Sequence, residues 1–232
     1  MNGLMQWWDN FAATFVKCFI RDDRYKLLLD GIGVTIKVSL LAVIIGIIIG
    51  LIIALCNLSK NKVLNLIGKV YTDVIRGTPS VTQLMIIYFV VFATVNWEKW
   101  IIAAIAFGIN SGAYVSEIIR AGILSIDKGQ TEAGRSLGLS SSQTMISIVI
   151  PQAVKNIFPA LCNEFIVLIK ETAIVGYVGL VDIQKAGDFI KSATFEAFMP
   201  LLATAVIYFV LIKILTLALA RVEAALRKSE ER

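Results

Sequence analysis

Glu164, Lys170 and Glu171 stand inside an otherwise apolar stretch, Ile157–Val181. Ionisable side chains in such a setting are costly unless they meet a partner or an interior cavity. Glu164 and Glu171 are seven residues apart and so share one helix face, with Lys170 beside the second. An acid to receive an ammonium, together with donors for a carboxylate, makes a receptor for a zwitterion. Thr78, Gln83 and Ser111, from other apolar stretches, supply further polar groups. The same residues also suit an ion or proton relay, or a structural ion pair that holds one helix against its neighbours. A second constellation lies in the polar, helix-forming insert of about residues 125–155, where Glu132 and Arg135 share a face at i,i+3 spacing. Gly138 permits a turn or a close backbone approach, and Pro151 marks where the next helix restarts. A hydrophilic helix between apolar segments reads as a docking element for a soluble partner, or as a plain solvated loop.

Enzymatic chemistry is poorly served. Histidine is absent, which removes the commonest general base and the commonest metal ligand. Cys18, Cys56 and Cys162 are odd in number and far apart, so no disulfide framework or metal cluster follows. Gly129 to Ser136 imitates the phosphate-binding pattern G-x-x-x-x-G-K-[ST]. Arg135 replaces its lysine, however, and neither a preceding strand nor the rest of a nucleotide domain is present. Serine and lysine residues in the apolar stretches form no pair placed to act as a nucleophile and base.

The elements that must position these residues are membrane spans. Hydrophobic residues are 57% of the chain and charged ones 17%, against about 45–50% and about 25% in soluble domains. Val38–Leu55 carries no charge and starts too far into the chain for a signal peptide. The predicted architecture is all-α with five spans: Val34–Asn57, Ser80–Val95, Ile101–Leu124, Ile157–Val181 and Pro200–Ala220. Val63–Ile75 reads as an amphipathic helix broken at Gly77-Thr78-Pro79, so the second span is short unless that helix is counted in. The small, polar run Gly108–Ala113 is expected to interrupt the third span. Gly33, Gly46 and Gly50 suit close helix packing. Residues 1–30, with Trp7, Trp8, Phe11, Phe15 and Phe19 beside charged residues, read as an interfacial segment. Residues 31–222 form the membrane domain and 223–232 a tail.

Basic residues set the orientation. The connector after the first span, the insert and the tail together carry twelve Lys and Arg residues; the opposite set of segments carries seven. The bias places the N-terminus outside, and the insert and C-terminus in the cytoplasm. The net charge of +5 is then a matter of orientation and headgroup contact rather than nucleic-acid binding.

Glu132-Ala133-Gly134, Gly138 and Ile148-Val149-Ile150-Pro151 resemble the coupling signature of inner-membrane permeases of ATP-binding-cassette importers. Gly134 stands where that pattern has a second alanine, and Ile150 where it has leucine. Arg76-Gly77-Thr78-Pro79, Ala113 to Ile123, Lys128-Gly129-Gln130 and Lys170-Glu171-Thr172 are similar to the polar amino-acid branch of these permeases, the histidine, glutamine and arginine group. The likeness covers about residues 30–222, with Glu171-Thr172-Ala173 lengthening the acid and dropping a hydroxyl of the branch's pattern.

The resemblance implies a type I importer permease, in a bacterial cytoplasmic membrane, that moves polar amino acids by alternating access. It implies a second permease subunit, identical or related, and an extracytoplasmic binding protein. Cytoplasmic ATPase subunits would bind the ATP and dock on Glu132, Ala133, Gly134, Arg135, Gly138 and Pro151, so the chain itself needs no cofactor and catalyses nothing. Substrate contacts are expected from Glu164, Lys170, Glu171, Thr78, Gln83 and Ser111. The competing reading is a self-contained secondary transporter or channel using Glu164, Lys170 and Glu171, although such folds usually have internal repeats.

Overall fold

Runs of isoleucine, leucine and valine surrounded by lipid leave the backbone no partner but itself, so each long apolar stretch closes as a helix. The computed structural model describes residues 2–228, with the side chains of residues 5–225. No strand occurs among the described residues. In chain order the helices are α1 (Asn2–Phe15), α2 (Tyr25–Leu58), α3 (Lys62–Arg76), α4 (Ser80–Ile86), α5 (Lys99–Leu124), α6 (Lys128–Ser136), α7 (Ser141–Thr144), α8 (Ile150–Glu171), α9 (Ile183–Thr194) and α10 (Phe198–Lys228). Four segments are long and apolar enough to cross a bilayer: Tyr25–Leu58, Lys99–Leu124, Ser141–Val178 and Phe198–Ala225. A fifth arises if Lys62–Arg76 and Ser80–Val91, bent by 104°, count as one broken span.

Several predicted boundaries move, each for a physical reason. The fourth span starts earlier than Ile157. Ser140 and Gln143 form a reciprocal capping box that opens a helix at Ser141. Pro151 does not restart that helix. A wide π turn at Met145–Val149, with the Ile150 N–H donating to Met145 O, absorbs the hydrogen bond and the space that the proline ring disturbs. Beyond Glu171 the chain tightens into a 3-10 turn, Thr172–Val178, closed by Gly179 at φ 73°. The second span ends its helical turns at Val91, short of Val95. At the N-terminus, residues 25–30 already belong to α2. The tail's residues 223–228 continue α10, and 229–232 lie outside the described residues.

The expected interruption at Gly108–Ala113 does not occur; α5 is continuous there. The run is small because α2 presses against it. A Cβ on Gly108 would stand 2.6 Å from Ile45 Cβ, and one on Gly112 2.8 Å from Ile49 Cγ2. From the other side, Gly46 faces Ser111 at 3.0 Å and Gly50 faces Val115 Cγ1 at 2.5 Å. Four glycines thus let two helices approach closely where lipid supplies no hydrophobic drive. Gly33 has no part in this, since a Cβ there would meet nothing within 4 Å. Gly50→Val is therefore expected to force α2 from α5 at an overpacking cost of about 1–3 kcal/mol. Thermal unfolding of the detergent-solubilised protein reads this as a lowered midpoint, and Gly33→Ala should not lower it.

At the other end of the molecule, Cys18, Phe19 and Phe11 of the N-terminal segment pack with Leu28, Ala186, Ile190 and Met199. Trp7 and Trp8 remain exposed. Asp182 is fully buried at the start of α9. It accepts from the Gln184 and Lys185 backbone N–H groups at 3.1 and 3.0 Å, and from Tyr208 Oη of α10 at 3.0 Å. Burial pushes its carboxyl above the ordinary value, against the pull of these hydrogen bonds.

Candidate functional site

The polar residues inside the helix bundle gather on two adjacent positions of α5. Ser111 Oγ donates to Glu164 Oε1 of α8 at 2.8 Å, with both residues buried. Its neighbour Asn110 donates through Nδ2 to Gln83 Oε1 at 2.8 Å. Gln83 Nε2 in turn donates to Thr78 Oγ1 at 2.6 Å and to Ile75 O at 2.7 Å, and Thr78 Oγ1 donates to Val74 O at 2.9 Å. The bonds to Ile75 O and Val74 O satisfy backbone groups that the sharp break before Pro79 leaves open. Thr78 and Gln83 therefore knit the bend together, and reach the centre only through Asn110.

Glu164 is differently placed. Among the described residues its one side-chain hydrogen bond comes from a neutral hydroxyl, so a buried carboxylate retains free acceptor capacity. Glu171 is half-buried two turns on, at the end of α8, whereas Lys170 is exposed. The structure thus unites Ser111 with Glu164 and joins Thr78 to Gln83, but leaves Lys170 apart from the buried pair. Asn110 was missed by the sequence reading. Its only signal was its place beside Ser111 in the small, polar run.

The insert folds as two helices, α6 and α7, joined by a turn at Leu137–Ser140. Asp127 Oδ1 accepts from the Gly129 N–H at 2.6 Å and starts α6. Gly138, at φ 84°, ends it in the left-handed region, with Gly138 N donating to Arg135 O and Leu139 N to Gly134 O, both at 3.1 Å. Arg135 Nη1 donates to Leu139 O at 2.7 Å and braces the same turn. This segment is helical through Gly129–Ser136, so it forms no phosphate loop.

Gly134 is the one buried residue of α6, packed on α7 and the π turn that follows. A Cβ there would lie 2.8 Å from Thr144 Cγ2 and 2.9 Å from Ile148 Cδ1. The glycine in place of a second alanine is thus fitted to this contact. Glu132, Ala133, Arg135 and Leu137 remain exposed, Leu137 at 82%. Gln152 Nε2 to Gln130 Oε1 (3.3 Å) and Asn156 Nδ2 to Ser125 Oγ (3.0 Å) tie α8 to the insert. The result is a short polar helix joined by well-packed turns to two spans. Leu137 and Thr144 escaped the sequence reading, and Ile148 entered it only as part of the coupling signature, because which side of α6 packs inward depends on α7.

Known proteins resemble this chain in sequence and fold. Residues 46–228 match the family described as binding-protein-dependent transport system inner membrane component. The arginine transport system permease protein of Bacillus subtilis (strain 168) is 42% identical over 223 residues, covering 95% of this chain and 99% of that one. A putative glutamine transport system permease protein of Rickettsia bellii (strain RML369-C) is 41% identical over 191 residues, covering 82% and 88%. Among solved structures, an amino acid ABC transporter crystallised with histidines superposes with a TM-score of 0.81 at 43% identity, covering 89% of this chain and 98% of that one. The inward-facing MetNI methionine ABC transporter, at 20% identity and a TM-score of 0.75 over 86% and 96% of the two chains, shares the fold.

Proposed function

Since this chain belongs to the family of binding-protein-dependent transport system inner membrane components, we propose that it admits polar α-amino acids through a path beside Glu164 and Ser111. It is the permease component of an ATP-binding-cassette amino-acid importer, a multi-pass inner-membrane protein whose ATPase resides in other subunits. Membership of the family brings ATPase and binding-protein partners in general. The finer reading is ours. Two copies of this chain, or this chain and a close relative, enclose the path. The N-terminus faces outward, with the segment before Tyr25 on the outer surface of the bilayer, and α6 faces the cytoplasm.

The observation that carries the coupling is the seat of α6. It is wedged onto α7 by Gly134, closed by Gly138 and continuous through α8 with the span that holds Glu164. A push on Glu132, Ala133, Arg135 or Leu137 then moves α5 and α8 as rigid bodies. In the path, Glu164 receives the substrate ammonium and Ser111 orients that carboxylate. Asn110, backed by Gln83 and Thr78, offers an amide, while Glu171 and Lys170 stand at the outer end of α8.

Reconstitution tests this reading. Vesicles holding the permease, its ATPase and ATP on the α6 side, with binding protein outside, should accumulate L-arginine, L-glutamine or L-histidine. Without ATPase, accumulation should cease. Uptake by the permease alone, driven by an ion gradient, would establish a secondary transporter instead.

A further inference from the structure

Helix α3 turns its apolar face outward, and its polar residues border an open cavity on the other side. Its apolar residues Val63, Leu66, Ile67, Val70 and Val74 are exposed on the outer surface. Asn65, Lys69, Thr72, Asp73 and Arg76 line a cavity of about 460 Å³, which Asn57 of α2 and Glu117 and Arg120 of α5 close. All eight lining residues are polar or charged. Next to a bilayer such a concentration persists where it encloses a hydrated or liganded space.

The charges do not all cancel internally. Arg120 Nη2 and Glu117 Oε2 form an ion pair at 2.7 Å. Arg76 lies over the Tyr114 ring at 5.3 Å, and neither it, Lys69 nor Asp73 forms an ion pair among the described residues. Two cations and one carboxylate therefore face a common space. Two cationic groups suit a carboxylate, with the planar Arg76 fork able to grip both its oxygens. Asp73 suits an ammonium on the neighbouring carbon. The volume falls within the range of about 300–1,000 Å³ typical of small-molecule sites.

Position adds meaning to this chemistry. Tyr114 and Glu117 follow Asn110 by four and seven residues, so all three share one face of α5. The cavity lies about 10 Å from Asn110 along that face, toward the end that carries α6. We propose that this cavity is a second α-amino-acid site, on the ATPase side of the membrane, through which accumulated product slows further import. An occupant bridges α3 to α5, tying the bent second span to the third and opposing their relative movement. The proposal rests on the transport reading and on the orientation given above. An aminophospholipid headgroup offers the same pairing of ammonium and anion. The wholly polar lining gives acyl chains no contact inside the cavity, which favours the free amino acid as occupant.

The test encloses unlabelled L-arginine or L-glutamine with ATP in the reconstituted vesicles and follows initial uptake of the labelled amino acid. In vesicles of phosphatidylglycerol and phosphatidylcholine, wild-type uptake should slow about fivefold or more, in keeping with ordinary coupling between sites. The double variant Arg76→Met, Asp73→Asn should lose that slowing while keeping its rate when nothing is enclosed. Equal slowing in variant and wild type, or none in either, overturns the proposal. So does equal slowing by enclosed inorganic phosphate, which would mean a plain anion site. Phosphatidylethanolamine that reproduces the slowing by itself assigns the cavity to lipid and overturns it too.

Equilibrium dialysis of L-arginine or L-glutamine on the detergent-purified permease–ATPase complex covers a misassembled double variant. Glu164→Gln should leave one binding event per chain, and adding Lys69→Met should remove it. A Glu164→Gln complex with no remaining binding event overturns the proposal. Wild-type vesicles that accumulate no amino acid refute the transport reading, and dialysis still decides the cavity.

Discussion

Glu164→Gln is expected to weaken amino-acid binding to the permease–ATPase complex by about tenfold to a hundredfold, from the roughly 1.5–3 kcal/mol of a hydrogen bond to a charged group. The substitution keeps shape and size and removes the charge. Of the two buried acids among the described residues, Asp182 is committed to the α9 cap and Tyr208, whereas Glu164 answers to Ser111 alone. Ser111→Ala should cost less, since the carboxylate survives and loses only an orienting donor. The measurement is equilibrium binding of L-arginine and L-glutamine in the absence of the binding protein, whose own affinity would otherwise mask the effect. Assembly should be intact, because replacing a buried charge by an amide lowers the desolvation cost. Unchanged affinity in Glu164→Gln would move the substrate away from this pair.

Glu132→Lys should release the ATPase and abolish ATP-dependent uptake, with insertion and folding untouched. Glu132 is exposed on α6, away from the Gly134 seat. Truncating one member of a buried interfacial charge pair costs about 2–5 kcal/mol, and reversing the charge adds repulsion. Arg135→Ala is a different experiment, for Arg135 holds Leu139 O and its loss loosens the helix end. Gly138 still turns the chain there, so a partial defect follows. Co-purification of the ATPase with tagged permease reads both effects, alongside the elution profile of the permease alone. Wild-type uptake by Glu132→Lys would mean that α6 is not the docking element.

Much of this protein was legible before folding. Uncharged runs of Ile, Leu and Val can satisfy their backbones in lipid only as helices, which set the class and most of the spans. Gly77-Thr78-Pro79 marked the bend, since proline cannot continue a helix. Gly46 and Gly50 announced close packing, and the polar stretch after the third span announced a helix of its own. Each of these is a local property, carried by residues near one another in the chain.

What the tertiary structure decided concerns what each face meets. Gly108–Ala113 looked like an interruption because small and polar residues weaken a helix in isolation. Against α2 they are what allows contact. Pro151 looked like a beginning because nothing in the sequence discloses the π turn that accommodates it. Periodicity placed Glu164 and Glu171 on one face, yet only the arrival of Ser111 made Glu164 the buried acceptor, and Lys170 turned outward. Likewise the amphipathic pattern of α3 was plain, but its polar side faces inward, toward Glu117 and Arg120. A one-dimensional pattern records which residues share a side. Which partner, lipid or cavity lies on that side depends on segments distant in the chain, and therefore on packing.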